Sequence, residues 1–275
     1  TAEGIGQHAH NSNTILYKPA VLRNITFRDF SFDVSSFDKK WGSGGIIGAA
    51  DTPRRPEPNY NKLNVLIENV TVIANKDSRI YSTRTTQENI FGILCGSSRG
   101  CVFRNCDIIV SGMFAVNAKN DVAFGGISGQ IKYSVIERCS VNLIGCHVDV
   151  HTTATARVGL LTGKKNGWPG KWKNDCEILN NIVLLKDAVY NVNSGVKTEF
   201  NAFIYVNPDH ITCEHNTLLN FDSSIPDDAN ASRENNTNKR LTSGTDEITF
   251  NDQIYGMRKG DGSESDSGGT DLWKT

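Results

Sequence analysis

The feature that most constrains the fold of this chain is a glycine quintet, Gly-x-x-x-Gly, that occurs four times. An apolar segment that ends near Asn or Cys follows each copy. Self-similarity at a period of about 20–50 residues is typical of repeat proteins, in which each unit contacts its neighbours along one axis. The quintets are Gly44–Gly48, Gly92–Gly96, Gly125–Gly129 and Gly159–Gly163.

The segments between the quintets have strand chemistry. Val65–Ile73, Cys101–Val110 and Val135–Ile144 alternate in polarity and are rich in β-branched residues. No segment sustains the 3.6-residue period of a capped helix. We therefore predict an all-β chain, a right-handed parallel β-helix of about five coils with capped ends. Each coil of roughly 33 residues holds three short strands, and neighbouring coils stack about 4.8 Å apart.

A second repeated position marks each unit. In each repeat an Asn or Arg is followed by a residue that we expect to point inward. We predict that the Asn side chains stack in a packed, hydrogen-bonded ladder. The marked residues and their followers are Asn24 and Ile25, Asn69 and Val70, Asn105 and Cys106, Arg138 and Cys139, and Asn180 and Asn181.

The composition changes along the chain, and this divides it into three parts. Residues 1–20 are predicted to cap the first coil, 21–221 to form the repeat body, and 222–275 to form a C-terminal loop and tail with one short strand. Asp222–Ser243 is polar and predicts a loop, whereas Ile248–Tyr255 is strand-like. A fifth, degenerate unit lies in 201–216, with Asn201–Tyr205 in place of the quintet.

The glycine quintet followed by a strand that ends in Asn-Cys resembles the GLUG-motif repeats of bacterial and other cell-surface proteins. The resemblance covers about residues 20–221 and is closest in Phe91–Val110 and Phe124–Ile144. It implies a right-handed parallel β-helix of the pectin-lyase-like kind and a location at the cell surface. It implies no catalytic residues.

The seven cysteines show no C-x-x-C spacing, so they indicate neither a zinc site nor a redox motif. Cys106 and Cys139 fall at the same inward position one coil apart, within reach of a disulfide. Cys95 and Cys101 are an alternative pair. Free, buried thiols that pack as small hydrophobic groups are the favoured interpretation.

Charge and hydropathy restrict the partners. The net charge of −1 gives no indication of nucleic acid binding, and no apolar run is long enough to span a membrane. We expect no cofactor. Four Asn-x-Ser/Thr sequons permit glycosylation of a secreted protein. Asn230 and Asn235 lie in a polar stretch and are better acceptors than the ladder residues Asn24 and Asn69.

Two long spacers are the most promising places for binding, because insertions on one face of a solenoid often form its binding surface. Ala49–Lys62 and Lys164–Lys173 each begin directly after a quintet. We expect both to leave from one edge, two coils and roughly 10–14 Å apart. Their aromatic and cationic residues suit a sugar ring or an acidic polymer; the alternative is that the loops only shield the sheet edge. These residues are Arg54, Arg55, Tyr60, Lys164, Trp168, Lys171 and Trp172.

The strand His147–His151 carries the sharpest polar cluster. Alternation places His147, Asp149 and His151 on the outer face, where they form a possible metal or acid–base cluster. A simple polar outer face is the alternative, since the offsets align the trio with Phe114, Val116 and Ala118 on one side and with Val189, Asn191 and Asn193 on the other.

A second outward pair is predicted from the repeat. Arg157 and Glu199 share one offset from their repeat positions, which predicts an ion pair across neighbouring coils. Polysaccharide lyases built on β-helices gather acids and bases from adjacent coils. No such set is evident in this sequence.

The sequence therefore favours a secreted or cell-surface structural or adhesive module that stacks on copies of itself as a filament subunit and that is not an enzyme. A polysaccharide lyase or hydrolase and a non-catalytic glycan-binding module are the alternatives.

Overall fold

The computed structural model of the chain describes residues 20–35, 42–51, 65–85, 88–165, 176–201, 203, 211–221, 236–241, 247–250 and 253–256. Within these ranges every regular element is a β-strand, and the strands are numbered β1 to β27 in chain order. The all-β prediction is confirmed. The predicted N-terminal cap lies outside the described residues, except for Ala20.

Sheet I is the largest sheet, with 11 strands, and all of its pairs are parallel. Its strands are β1 (Ala20–Arg28), β5 (Val65–Ala74), β9 (Cys101–Arg104), β10 (Asp107–Val110), β14 (Val135–Glu137), β15 (Ser140–Ile144), β19 (Cys176–Leu179), β20 (Ile182–Lys186), β23 (Ile211–Glu214), β24 (Thr217–Phe221) and β25 (Thr237–Leu241). The long strand β5 pairs with β9 through its first half and with β10 through its second half. Sheet I therefore has two branches that share β5.

Three smaller parallel sheets complete the body. Sheet II contains β2 (Ser31–Asp33), β6 (Ser78–Ser82), β11 (Met113–Ala118), β16 (His147–Thr152) and β21 (Val189–Ser194). Sheet III contains β3 (Gly42–Gly44), β7 (Asn89–Gly92), β12 (Val122–Gly125), β17 (Thr155–Gly159) and β22 (Lys197–Asn201). Sheet IV contains β4 (Ile47–Asp51), β8 (Cys95–Arg99), β13 (Ser128–Lys132) and β18 (Thr162–Lys165).

The C-terminal region contains more strand than the sequence predicted. β25 lies within the segment predicted as a loop and pairs in parallel with β24. The predicted strand Ile248–Tyr255 is instead an antiparallel hairpin of β26 (Glu247–Phe250) and β27 (Gln253–Gly256). The loop prediction for the segment that contains β25 relied on polar composition and was wrong there. A polar segment can form a strand when a parallel neighbour supplies the backbone hydrogen bonds.

Successive repeats use the sheets in one order. β9 to β13 visit sheet I twice and then sheets II, III and IV, and β14 to β18 follow the same path. Each strand pairs with its counterpart in the next repeat, as Phe124 does with Phe91 and Val158. A repeat thus holds five short strands, not the predicted three.

One of the two extra strands arises at the marked Asn and Arg positions. Asn24, Asn69, Asn105, Arg138, Asn180 and, in the fifth unit, His215 all have a left-handed backbone, with φ between +50° and +59°. Such a residue turns the chain. It separates β9 from β10 and β14 from β15, which the alternating pattern had predicted to be continuous, whereas β1 and β5 run through Asn24 and Asn69 as single strands.

The packed ladder was predicted at the wrong residues. The left-handed side chains are exposed at the corner, where the Asn69 Nδ2 donates to Asn24 Oδ1 at 3.1 Å. The following residues do point inward, as predicted, and Val70, Cys106, Cys139 and Asn181 are fully buried. The packed amide ladder lies in this inward row and comprises Asn181, Asn216 and Asn236.

The glycine quintet forms the corner between sheets III and IV. A Cβ atom on Gly125 would lie 2.1 Å from the Ser128 carbonyl oxygen, and one on Gly129 would lie 2.4 Å from the Phe91 carbonyl oxygen. Neither position has space for a side chain, so the two sheets approach each other through bare backbone. The quintet is therefore structural.

All seven cysteines lie within the described residues, and none forms a disulfide; all except the half-buried Cys213 are buried. Burial raises the pKa of the Cys95 and Cys146 thiols to about 12, and it raises the pKa of Cys139 well above its ordinary value. Buried thiols with raised pKa values are unreactive and pack as small apolar groups.

Candidate functional site

Charged side chains from five strands or strand ends meet on the outer face of sheet III. Arg157 in β17 is in register with Glu199 in β22 and with Ala123 in β12. Glu88 and Asp121 directly precede β7 and β12, two positions before Ile90 and Ala123, and so lie on the same face. Lys164 enters from β18 in sheet IV. We call these five residues the Arg157 cluster.

Arg157 is the centre of this cluster. Its Nε lies 3.2 Å from Glu199 Oε2, which confirms the predicted ion pair. Its Nη1 donates to Glu88 Oε1 at 3.0 Å and lies 3.9 Å from Asp121 Oδ2. One guanidinium group thus connects carboxylates from three other repeats, a use of the fixed arginine fork that a lysine could not reproduce.

The other charges of the cluster are paired as well. Lys164 Nζ donates to Glu88 Oε2, so each oxygen of the Glu88 carboxylate holds a different cation. Asp121 Oδ1 accepts from the Thr155 backbone N–H at 2.9 Å. Lys197 lies 2.5 Å from Glu199. The exposed fractions of the five side chains are between 12% and 38%, so the cluster is only partly screened by solvent.

Gln130 lies next to this cluster and differs from it. Gln130 lies in β13, where it is the register partner of Lys164 in β18. It is only 4% exposed. Side chains of register partners lie on the same face of a sheet. The Oε1 atom of Gln130 is buried and has no hydrogen-bond partner. A buried amide oxygen without a donor is uncommon in folded proteins.

The structure brings together charged residues from several repeats that the sequence analysis did not assemble. The sequence analysis missed Glu88, Asp121 and Gln130. One signal was present: Glu88 and Asp121 each stand four positions before the first glycine of a quintet, Gly92 and Gly125. Gln130 had no signal, because neither its burial nor its missing partner can be read from the repeat.

The cluster is better suited to holding groups in place than to moving protons. Its bases are engaged, since both oxygens of Glu88 carry cations. A free base within reach of a substrate proton is the first requirement of general acid–base catalysis.

The His147 trio lies on sheet II, away from sheet III. His147 is exposed and Asp149 and His151 are half-buried, while Val148 and Val150 between them are buried, as predicted. One predicted alignment was wrong by a residue: the trio is in register with Met113, Ala115 and Asn117, whereas Phe114 is buried. A one-residue slip exchanges the two faces of a strand. The alignment with Val189, Asn191 and Asn193 is confirmed.

These neighbours give the trio no additional acidic or imidazole ligand. Within the described residues no group of three or more His, Cys, Asp or Glu side chains is arranged to hold a metal ion. His147 and His151 are four positions apart on one extended strand, which separates them by roughly 13 Å. The trio is therefore a polar outer face.

Both long spacers begin at sheet IV. They follow β4 and β18, the two outermost strands of the sheet, and parallel strands end at the same edge. Three strand-to-strand steps separate β4 and β18, about 14 Å in all, whereas the sequence analysis predicted a separation of two coils. Ala49 and Lys164 belong to these strands and not to the spacers.

Of the binding residues predicted in the two spacers, the structure describes only Lys164. Arg54, Arg55, Tyr60, Trp168, Lys171 and Trp172 lie outside the described residues, as do the sequons at Asn230 and Asn235. Asn24 and Asn69 are exposed, so the predicted obstacle to their glycosylation, burial in a ladder, is absent.

No family model, curated protein or solved structure shows significant similarity to this chain. In the part of the chain that the structure describes, there is no helix of the length and apolarity that crossing a bilayer requires.

Proposed function

We propose that the chain is a right-handed parallel β-helix of GLUG-like repeats that serves as a structural or adhesive module of a secreted or cell-surface protein. The observation that carries this proposal is the repeated order of sheets, in which each repeat lies in parallel register on the next. A helix of stacked coils is the simplest path for such a chain, because parallel strands need crossover connections.

Side chains along the stacking direction support a scaffold role. One outward row of sheet I alternates in charge through Arg23, Glu68, Arg104 and Glu137. Arg104 lies 2.6 Å from Glu137 and 3.6 Å from Glu68. Such a row joins neighbouring repeats, although each exposed pair contributes only about 0–1 kcal/mol.

The outermost strands of sheet I suggest how copies would assemble. Within the described residues, β1 pairs only with β5 and β25 pairs only with β24, so each leaves one edge open for pairing. A second copy stacked head to tail would pair β25 with β1 in parallel. Heterologous contacts of this kind produce open filaments. We propose that the module associates with itself in this way.

Sedimentation velocity over a range of concentrations tests this assembly. The wild-type protein should form longer species as its concentration rises. A protein that remains monomeric at high concentration would exclude the filament, and scattering from a compact particle would contradict the β-helix.

A carbohydrate-active enzyme, either a polysaccharide lyase or a hydrolase, is the second candidate. The observation on its side is that carboxylates and cations from successive repeats meet in the Arg157 cluster; against it, both oxygens of Glu88 already carry cations. Assays of reducing ends and unsaturated products on neutral and acidic polysaccharides test this candidate. Turnover that disappears in Arg157→Ala or His151→Ala would replace the scaffold proposal.

A further inference from the structure

Gln130 and the Arg157 cluster together have the features of a ligand subsite. The cluster alone is a set of satisfied ion pairs. Gln130 adds an unsatisfied acceptor, its Oε1, at a position 96% removed from solvent and directly beside Lys164 in the sheet. Leaving a buried acceptor unpaired costs about 1–3 kcal/mol, so such an atom indicates a missing donor.

The neighbouring groups restrict the chemistry of that donor. The Lys164 ammonium group has three N–H donors, and Glu88 accepts one of them. A group beside both Gln130 and Lys164 must donate to an amide oxygen and accept from an ammonium group. A hydroxyl does both. A carboxylate or phosphate cannot donate to Gln130 when ionised, and an ammonium group would be repelled by Lys164.

The local charge leads to the same class of ligand. Three carboxylates, of Glu88, Asp121 and Glu199, surround Arg157 and Lys164. Lys197 also pairs with Glu199, so three carboxylates meet three cations. The cations are thus already neutralised, and an anionic ligand would find no unpaired positive charge. This charge balance disfavours the acidic glycan that the sequence had suggested.

We propose that Gln130 and the Arg157 cluster form a subsite for a neutral sugar, with one hydroxyl between Gln130 Oε1 and Lys164 Nζ. Lys164 is a flexible side chain, and its rotation admits the hydroxyl to the buried amide. Asp121, the most exposed carboxylate of the cluster at 38%, accepts from a neighbouring hydroxyl. The subsite gives a chemical meaning to the adhesive part of the proposed function, on which it rests.

Isothermal titration calorimetry with defined hexasaccharides tests the subsite. The probes are neutral gluco-, manno-, galacto- and xylo-configured hexamers and the acidic galacturonate hexamer. We expect saturable binding of at least one neutral hexamer and weaker or no binding of the acidic one. Gln130→Met keeps the length of the side chain and removes its acceptor, and it should weaken binding about tenfold.

Asn142→Leu is the matched control. Asn142 in β15 is also buried and also has an amide oxygen without a partner, but it lies on sheet I, away from the cluster. This variant should bind the neutral hexamer with unchanged affinity.

Three results would overturn the subsite. They are the absence of binding to every neutral hexamer, preferential binding of the galacturonate hexamer, and unchanged affinity in Gln130→Met. Each would leave head-to-tail assembly untouched, since sedimentation velocity measures that separately. Failure of assembly with intact sugar binding would instead reject the filament and retain the subsite.

Discussion

The inward row behind the left-handed corner is built in two ways along the stack. In the first half it holds Val70, Cys106 and Cys139, and in the second half it holds Asn181, Asn216 and Asn236. The two halves occupy one position of the repeat. Cys106 and the amides reach a backbone carbonyl of the preceding repeat, whereas the Cys139 thiol donates to the Glu137 carbonyl of its own repeat. The Cys106 thiol donates to the Ile67 carbonyl at 3.4 Å, whereas Asn181 Nδ2 donates to the Ile136 carbonyl at 2.9 Å.

The amide half does more than the thiol half, because an amide also accepts. Oδ1 of Asn181 accepts from the Cys139 backbone N–H at 2.8 Å, and Oδ1 of Asn216 accepts from the Asn181 backbone N–H at 3.0 Å. A thiol is a weak donor and a weak acceptor. The comparison teaches that one buried position can be filled by packing or by a continuous polar network, with different costs when it is broken.

Breaking the amide ladder should have the largest effect. Asn216→Ala leaves two donors of Asn181 and the carbonyl of Ile178 without partners. We expect a loss of about 3–4 kcal/mol in the free energy of unfolding, measured by urea denaturation. Cys106→Ala, which removes one small group and a weak donor, should cost about 1–2 kcal/mol. Equal losses in the two variants would show that the halves are not different.

Alkaline pH should weaken the thiol half alone. Burial raises the pKa of Cys139 in the folded state, whereas an exposed thiol titrates near about 8.5. The neutral thiol therefore contributes stability that is fully present below about pH 8.5 and is lost as the pH rises toward the folded pKa, at about 1.4 kcal/mol per pH unit.

The measurement is the free energy of unfolding at pH 7.5 and 9.5. The decrease between these values should be smaller in Cys139→Ala than in the wild-type protein. Asn216→Ala is the control, since an amide does not titrate and its pH dependence should match that of the wild-type protein. If Cys139→Ala showed the same decrease as the wild-type protein, the Cys139 thiol would ionise as readily in the folded state as in the unfolded state.

The repeat and its inward positions could be predicted from the sequence because they depend on local backbone requirements. The Gly125 and Gly129 pair has no space for side chains, and Cys106 and Cys139 stand at the repeat offset of the inward row. The ladder was predicted at the wrong row, because a left-handed φ places the Asn105 side chain at an exposed corner and not within a packed strand.

The candidate site was less predictable, for a physical reason. Arg157 and Glu199 are register partners, so a shared offset predicted their contact. Glu88 reaches Arg157 across two strand steps, and Lys164 reaches Glu88 from a different sheet. The Lys164 contact depends on the angle at which sheets III and IV meet at the quintet, and the repeat period carries no information about that angle.

The corner itself is common to both halves, and changes there should have the smallest effect. Arg138 occupies the position that Asn fills in most repeats, at φ of +52°. Asn tolerates the left-handed conformation better than a residue with a long side chain. Arg138→Asn should therefore raise the free energy of unfolding by about 0.5 kcal/mol, measured by thermal and urea denaturation. The reverse changes, Asn105→Arg and Asn180→Arg, should each lower it by a similar amount. If Asn180→Arg were far more damaging than Asn105→Arg, the corner would depend on the ladder behind it, and the two halves would differ in backbone as well as in side chain.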